Sequence, residues 1–150
     1  MRIAVLNGPN LNLLGTREPE LYGRVTLAEV ESRLGEVGRE LGVQVECAQR
    51  NGEGELVDLV QSLRGRADAA VVNAGAYSHT SLALRDALTG VALPFVEVHV
   101  TNVHAREPER HHSMLASAAV GSVVGLGTHG YELALRGIVA VLRARTASGG

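Results

Sequence analysis

The stretch TLAEVESRLGEVGRELGVQVECA, residues 26–48, joins a helical pattern directly to a strand pattern. The apolar positions of its first part recur at spacings of three and four residues: Leu27, Val30, Leu34, Val37 and Leu41. Thr26 and Glu29 form a capping-box signature at the start, and Gly42 suits the end of a helix. A short, partly alternating run over 43–48 follows and is typical of a strand.

The same alternation of strands and helices continues in both directions. We predict five strands, over 3–6, 43–48, 69–72, 94–100 and 120–124. We predict helices over 26–41, 55–63, 81–88 and 131–145, and a helical turn over 112–118. This order predicts an α/β fold with a five-stranded parallel sheet and helices on both faces. We expect one domain over 1–145 and a disordered tail over 146–150.

The basic residues of the chain are all of one kind. The sequence has 150 residues, 45% of them hydrophobic, which suits one domain with one well-formed core. Its 14 basic residues are all arginine, against 16 acidic residues, and it contains no lysine. The absence of lysine excludes a lysine Schiff base and a P-loop lysine, whether or not codon bias explains it.

Composition narrows the choice of partner and compartment. Cys47 is the single cysteine, so an internal disulfide and a cysteine-based zinc cluster are excluded. A net charge of −2 without a basic stripe argues against nucleic acid as a partner. The apolar run within 1–10 is too short for a signal peptide, and no stretch approaches the length of a membrane span. We therefore expect a cytoplasmic protein without a membrane partner.

The connection between the first strand and the first helix is unusually long. It runs for 18 residues, 8–25, where such loops usually take about 2–6. Its sequence, with four leucines, Arg17 and Tyr22, is unlike that of a disordered segment. We interpret residues 8–25 as an active-site flap.

Polar residues gather where the predicted strands end, which is the edge at which ligands bind in such sheets. They are Asn7, Asn10 and Asn12 after the first strand, Asn73 and 75–81 after the third, Glu97, His99 and 101–110 at the fourth, and 125–130 after the fifth.

Two pairs in this set suit acid–base chemistry. Glu97 and His99 lie two apart in a strand and share a face, so the carboxylate orients the imidazole and favours its charged form, as in a general acid. The alternative is a structural pair at the sheet edge. Tyr22 acts as a base only where a cation such as Arg17 favours its phenolate. A loop tyrosine is otherwise most often a packing or lid residue.

Other residues suit an anionic, hydroxylated substrate. Arg110 offers a bidentate contact to a carboxylate, Asn73 and His79 offer contacts to hydroxyls, and the backbone at Val100 and Thr101 can bind an anion. Asp86 either pairs with Arg85 or faces a neighbouring subunit. The adjacent His111 and His112 do not share a helix face, so no metal site is expected.

Three other functions fit the sequence less well. Ser78, His79 and Asp86 suggest a hydrolase, but the G-x-S-x-G motif is absent. A flavodoxin-like binding module without catalysis would carry a Ser/Thr-rich phosphate loop where GPNLNLLG stands. A phospho-receiver domain would carry acidic residues where Asn7 and Asn73 stand.

Four motifs resemble the type II 3-dehydroquinate dehydratases. They are LNGPNLNLLGTREPELYG (6–23), NAGAYSHTSLALRDAL (73–88), PFVEVHVTNVHAREPERHHS (94–113) and GLGTHGYELAL (125–135). The resemblance implies a flavodoxin-like fold, a homododecamer built as a tetramer of trimers, and no cofactor. It implies anti elimination of water from 3-dehydroquinate, through an enolate, to give 3-dehydroshikimate in the shikimate pathway.

The resemblance also implies a role for each matching residue. Tyr22 would take the C2 proton, Arg17 would stabilise its phenolate, and Asn10 would help to hold the enolate through a water. His99 would protonate the leaving hydroxyl, with Glu97 orienting it. The residues implied to hold substrate are Asn73, His79, Arg110 and the backbone of Val100 and Thr101, with Asp86 reaching a neighbouring subunit's site. Arg106 fits the motif without a definite role.

Overall fold

The computed structural model describes residues 1–149. These residues form one five-stranded sheet with helices around it. Its strands are β1 Arg2–Asn7, β2 Gln44–Gln49, β3 Ala69–Asn73, β4 Phe95–His99 and β5 Gly121–Val124. All neighbouring strands are parallel, in the order β2-β1-β3-β4-β5. This is the order of flavodoxin-like sheets, and it confirms the predicted fold.

Five α-helices and four short 3₁₀ helices connect these strands. The α-helices are α1 Pro19–Tyr22, α2 Leu27–Leu41, α3 Glu53–Ser62, α4 Leu82–Gly90 and α5 His129–Gly149. The 3₁₀ helices are Leu11–Leu13, Gly75–His79, Val103–Ala105 and Pro108–Arg110. Thr26 caps α2 as predicted, because its hydroxyl accepts from the Glu29 N–H, and Gly42 ends the helix at φ 70°.

The sheet is buried on both faces because successive side chains in each strand point to opposite sides. In β1, Ile3 and Val5 join one core cluster and Ala4 and Leu6 join the other. Helices α2 and α5 pack together over the first face, and α3 and α4 over the second. With both faces covered, the edge at which the strands end is left for polar groups.

Residues 112–118 contain the predicted helical turn: the Ala119 N–H donates to the Leu115 carbonyl, and the Ser113 hydroxyl caps the turn by accepting from the N–H groups of Leu115 and Ala116. The predicted C-terminal tail differs from the structure. Helix α5 continues through 146–149, where a disordered tail was predicted. The hydroxyls of Thr146 and Ser148 donate to helix carbonyls one turn back. Residue 150 of that tail lies outside the described residues.

Over residues 1–149, no helix has both the length and the apolar character needed to cross a lipid bilayer.

Candidate active site

A pocket opens at the edge where β1, β3 and β4 end, enclosing about 550 Å³ of space continuous with solvent. Nine residues predicted to form the site line it: Asn10, Arg17, Tyr22, Asn73, His79, His99, Val100, Thr101 and Arg110. Arg106 lines it as well. The other two predicted residues do not line the pocket. Glu97 contacts His99, and Asp86 lies on the exposed surface of α4.

The flap begins with a close approach to the end of β3. The Gly8 N–H donates to the Asn73 carbonyl across 2.8 Å. A Cβ on Gly8 would come within 2.3 Å of the Ala74 carbonyl oxygen, so no larger residue fits without moving the backbone. This contact holds the start of the flap against the end of β3.

Two arginines approach Tyr22 from different directions. Arg106 donates an Nη1–H to the Tyr22 hydroxyl across 2.8 Å. The Arg17 guanidinium lies over the ring instead, with Cζ 4.9 Å from the ring centroid. The hydrogen bond to the predicted base therefore comes from Arg106. Both arginine charges therefore lie within contact distance of the Tyr22 side chain.

His99 and Glu97 form a buried pair at the end of β4. The ring Nε2 lies 2.6 Å from Glu97 Oε1, and both side chains are almost completely buried. The Ser113 hydroxyl donates to the same carboxylate, within 2.9 Å of both oxygens. Because a carboxylate only accepts, Nε2 carries a hydrogen towards Glu97, and Nδ1 is the ring atom left for a substrate.

His79 stands beside this pair and carries its ring hydrogen on the other nitrogen. Its ring stacks on that of His99 at 5.7 Å between centroids. Desolvation lowers the pKa of His79, and the neighbouring His99 and Arg110 lower it further. Its Nδ1 lies 2.9 Å from the carbonyl oxygen of His112, which only accepts, so Nδ1 holds the hydrogen of the neutral ring. Nε2 of His79 is then an acceptor suited to a substrate hydroxyl.

Asn73 is tied into a buried network. Its Nδ2 donates to the Tyr131 hydroxyl across 2.9 Å, and its Oδ1 accepts from the Gly75 N–H at 3.1 Å. Tyr131 in turn donates to Asn7 Oδ1 across 2.6 Å. The network joins the ends of β1 and β3 to the start of α5.

The remaining predicted groups stand around the mouth of the pocket. Asn10 adopts a left-handed backbone at φ 70°, with its N–H donating to Asn51 Oδ1. Arg110 ion-pairs with Glu107, which lowers the pKa of that carboxyl. Val100 and Thr101 continue the wall from the end of β4. Throughout the described part of the chain, no three His, Cys, Asp or Glu side chains cluster in a way that would hold a metal ion.

Three residues that support the site have no role predicted from the sequence, although all lie in the matching motifs. Asn7 is predicted at the ligand-binding edge, because it is polar at the end of an otherwise apolar strand, but without a partner. Alternation places Ser113 on no particular face, and Tyr131 has the pattern of an ordinary helix residue.

The family model for class II dehydroquinase matches residues 1–139. A 3-dehydroquinate dehydratase of Gemmatimonas aurantiaca is 60% identical, over 99% of this chain and 100% of its own length. A catabolic 3-dehydroquinase 2 of Aspergillus flavus is 58% identical over 89% of each chain.

Solved structures agree with these relatives. A type II dehydroquinase from Propionibacterium acnes superposes with a TM-score of 0.88 at 43% identity, covering 93% of this chain and 96% of its own. A type II dehydroquinase from Butyrivibrio crossotus gives a TM-score of 0.90 at 39% identity, over 93% and 97% of the two chains. With a family model over most of its length and close relatives over nearly all of it, the chain belongs to the class II dehydroquinases.

Proposed function

We propose that this chain is a hydro-lyase that converts 3-dehydroquinate to 3-dehydroshikimate by anti elimination of water. The observation that carries the proposal is that one pocket holds both a tyrosine hydroxyl bound by an arginine and a histidine bound by a buried carboxylate. The first pair suits removal of a carbon-bound proton, and the second suits protonation of a leaving hydroxyl.

Tyr22 is the base in this proposal. Its phenolate oxygen takes the C2 proton, and the electron pair of the broken C–H bond passes to the ketone oxygen, giving an enolate. Arg106 and Arg17 stabilise the phenolate by hydrogen bond and by charge over the ring. Asn10 at the pocket mouth holds the enolate oxygen through a water.

His99 is the acid. Its Nδ1–H goes to the departing hydroxyl as the enolate electrons form the new carbon–carbon double bond, so water leaves and both protons are accounted for. Glu97 accepts a hydrogen bond from Nε2 and keeps the ring oriented. His79, whose pKa is lowered, adds no positive charge beside it at 5.7 Å.

The other pocket residues bind the anionic, hydroxylated substrate. Arg110, the Asn73 amide and His79 Nε2 contact carboxylate or hydroxyl oxygens, and the backbone of Val100 and Thr101 completes the anion site. No lysine exists in the chain, so covalent activation through a Schiff base is excluded and charge must stabilise the enolate.

We propose that the working form is a homododecamer, a tetramer of trimers, in which Asp86 completes a neighbouring site. Asp86 is exposed and lies one turn from Leu82, itself 48% exposed, on the same side of α4. An exposed leucine beside a carboxylate suits a contact between subunits. We also expect a cytoplasmic enzyme, which cell fractionation tests.

Activity is tested by mixing purified protein with 3-dehydroquinate and following the absorbance of the enone product. Tyr22→Phe and His99→Ala should each lower kcat by about 10²- to 10⁴-fold, since each removes a proton-transfer group. Absence of 3-dehydroshikimate with the wild-type protein would overturn the proposed reaction. Near-normal turnover in either variant would overturn that residue's role alone.

A further inference from the structure

We infer that Tyr131, which does not line the pocket, is a positioning residue that fixes the orientation of the Asn73 amide towards the substrate. The inference rests on the proposed role of Asn73 in binding. Tyr131 is completely buried near the start of α5, and its ring packs among the apolar residues between α2 and the sheet. Its hydroxyl contacts Asn73 Nδ2 and Asn7 Oδ1.

The direction of each hydrogen bond follows from a fixed backbone donor. The Gly75 N–H points at the Asn73 amide, so the acceptor Oδ1 must face it and Nδ2 must face Tyr131. The Tyr131 oxygen therefore accepts from Asn73, and its own hydrogen goes to Asn7 Oδ1. If the Asn73 amide were flipped, its Nδ2 donor would face the Gly75 N–H donor, and no hydrogen bond would form between them.

This arrangement leaves one specific group for a ligand. An amide nitrogen carries two hydrogens, and Tyr131 engages one of them. Asn73 is 3% exposed yet lines the pocket, so the second N–H is the part of the amide available to an acceptor oxygen of the substrate. The network thus presents a donor, rather than a carbonyl, to a carboxylate or hydroxyl.

Two further observations indicate that the network serves substrate binding rather than stability. Burial raises the pKa of Tyr131, so its hydroxyl keeps the proton that Asn7 accepts. Asn7 is completely buried, and its Nδ2 has no hydrogen-bond partner among residues 1–149. Such a group lowers stability, and an apolar residue at the end of β1 would avoid that cost. The chain keeps the asparagine, whose oxygen orients Tyr131.

The test compares kcat, KM and melting temperature in the dehydration assay for Tyr131→Phe, Asn7→Leu and Asn73→Ala. Tyr131→Phe keeps the ring and removes the hydroxyl. We expect its KM to rise about three- to tenfold, as for loss of one hydrogen bond, with kcat within about twofold of wild type. Asn7→Leu changes a residue outside the pocket lining, and it should also raise KM.

Ile138→Val is the matched control, because it removes one methyl from the same helix in the core. It should lower the melting temperature and leave KM unchanged. In the double variant Tyr131→Phe/Asn73→Ala, KM should equal that of Asn73→Ala, since Tyr131 acts only through Asn73.

The results distinguish the positioning role of Tyr131 from the binding role of Asn73. Wild-type KM in Tyr131→Phe together with raised KM in Asn73→Ala would overturn the positioning role and leave the binding role standing. Multiplicative effects in the double variant would also overturn it. Wild-type KM in Asn73→Ala would overturn the binding role of Asn73, and the inference about Tyr131 with it.

Discussion

Arg106 donates an Nη1–H to the hydroxyl of Tyr22 across 2.8 Å, with its guanidinium carbon 5.4 Å from the ring centroid. This contact joins a residue after β4 to the C-terminal residue of α1, inside the flap. Arg106 is also mostly buried, with 13% of its side chain exposed, so solvent screens its charge only weakly. A phenolate at Tyr22 would therefore receive a charge-assisted hydrogen bond from this arginine.

Arg106→Gln should lower kcat by about 10- to 100-fold. Hydrogen bonds to charged groups contribute about 1.5–3 kcal/mol, and the one from Arg106 strengthens as Tyr22 becomes negative. Steady-state kinetics of water elimination measures the effect.

Arg17→Gln should lower kcat by less, because Arg17 contacts the ring face rather than the oxygen. Arg64→Gln is the matched control on an exposed arginine outside the pocket, and its kcat should match wild type. A kcat for Arg106→Gln equal to that of the Arg64 control would show that the Arg106 contact does not assist the base.

His79 should make the folded state less stable under mildly acidic conditions. Burial lowers its pKa below 6.5, so the unfolded chain binds the proton more readily than the folded chain. The contribution of neutral His79 to the free energy of unfolding is therefore fully present above about pH 6.5. It is lost as the pH falls from there towards the lowered pKa. Urea unfolding of wild type and His79→Asn at pH 5, 6, 7 and 8 measures this dependence.

The variant should lose less unfolding free energy than wild type between pH 7 and 5, because residue 79 no longer takes up a proton. The carboxyl pKa of Glu132 is lowered from 4.5 by Arg33 and Arg136, so its contribution is lost at lower pH and does not interfere. Parallel curves for the two proteins would contradict the assignment of a neutral, partly buried His79.

The strands and their parallel order could be predicted because periodicity and burial agree along the chain. Ile3 and Val5 face one helical layer while Ala4 and Leu6 face the other, so an apolar run of this length fits only a sheet covered on both sides. The helical turn over 112–118 could be predicted in kind, but its bounds could not, since the Ser113 hydroxyl fixes where the turn begins by accepting from the N–H groups of Leu115 and Ala116. Apolar periodicity carries no signal for a single capped turn.

The pocket lining was predictable because strand ends meet at one edge, but partners across the fold were not. Tyr22 and Arg106 are 84 positions apart, and Tyr131 and Asn7 are 124 apart. Only the three-dimensional path of the flap and the placement of α5 decide these contacts. The motif therefore pointed to Arg17 as the partner of Tyr22, while the hydrogen bond is made by Arg106.

Cys47 should react slowly with thiol reagents in the folded protein. Partial burial raises the pKa of its thiol to about 12, so little thiolate is present at pH 8. The rate of colour release from an aromatic disulfide reagent measures this. The same protein in guanidinium chloride is the control and should react rapidly, whereas equal rates in the two states would contradict a thiol shielded by the fold.

The part of the flap over residues 15–22 should be the segment whose mobility responds to ligand. Helix α1 is a single turn with no buried residue, and Glu18 at its start holds a left-handed backbone at φ 40°. With so little of the segment buried, its amides should exchange hydrogen rapidly in the free protein. Arg17 and Tyr22 line the pocket, so an anion bound there would hold the segment in place and slow that exchange. Hydrogen–deuterium exchange with and without saturating 3-dehydroshikimate measures the change, and the fully buried strand β3 is the internal reference. Unchanged exchange over 15–22 while the product is bound would show that the flap does not close on its ligand.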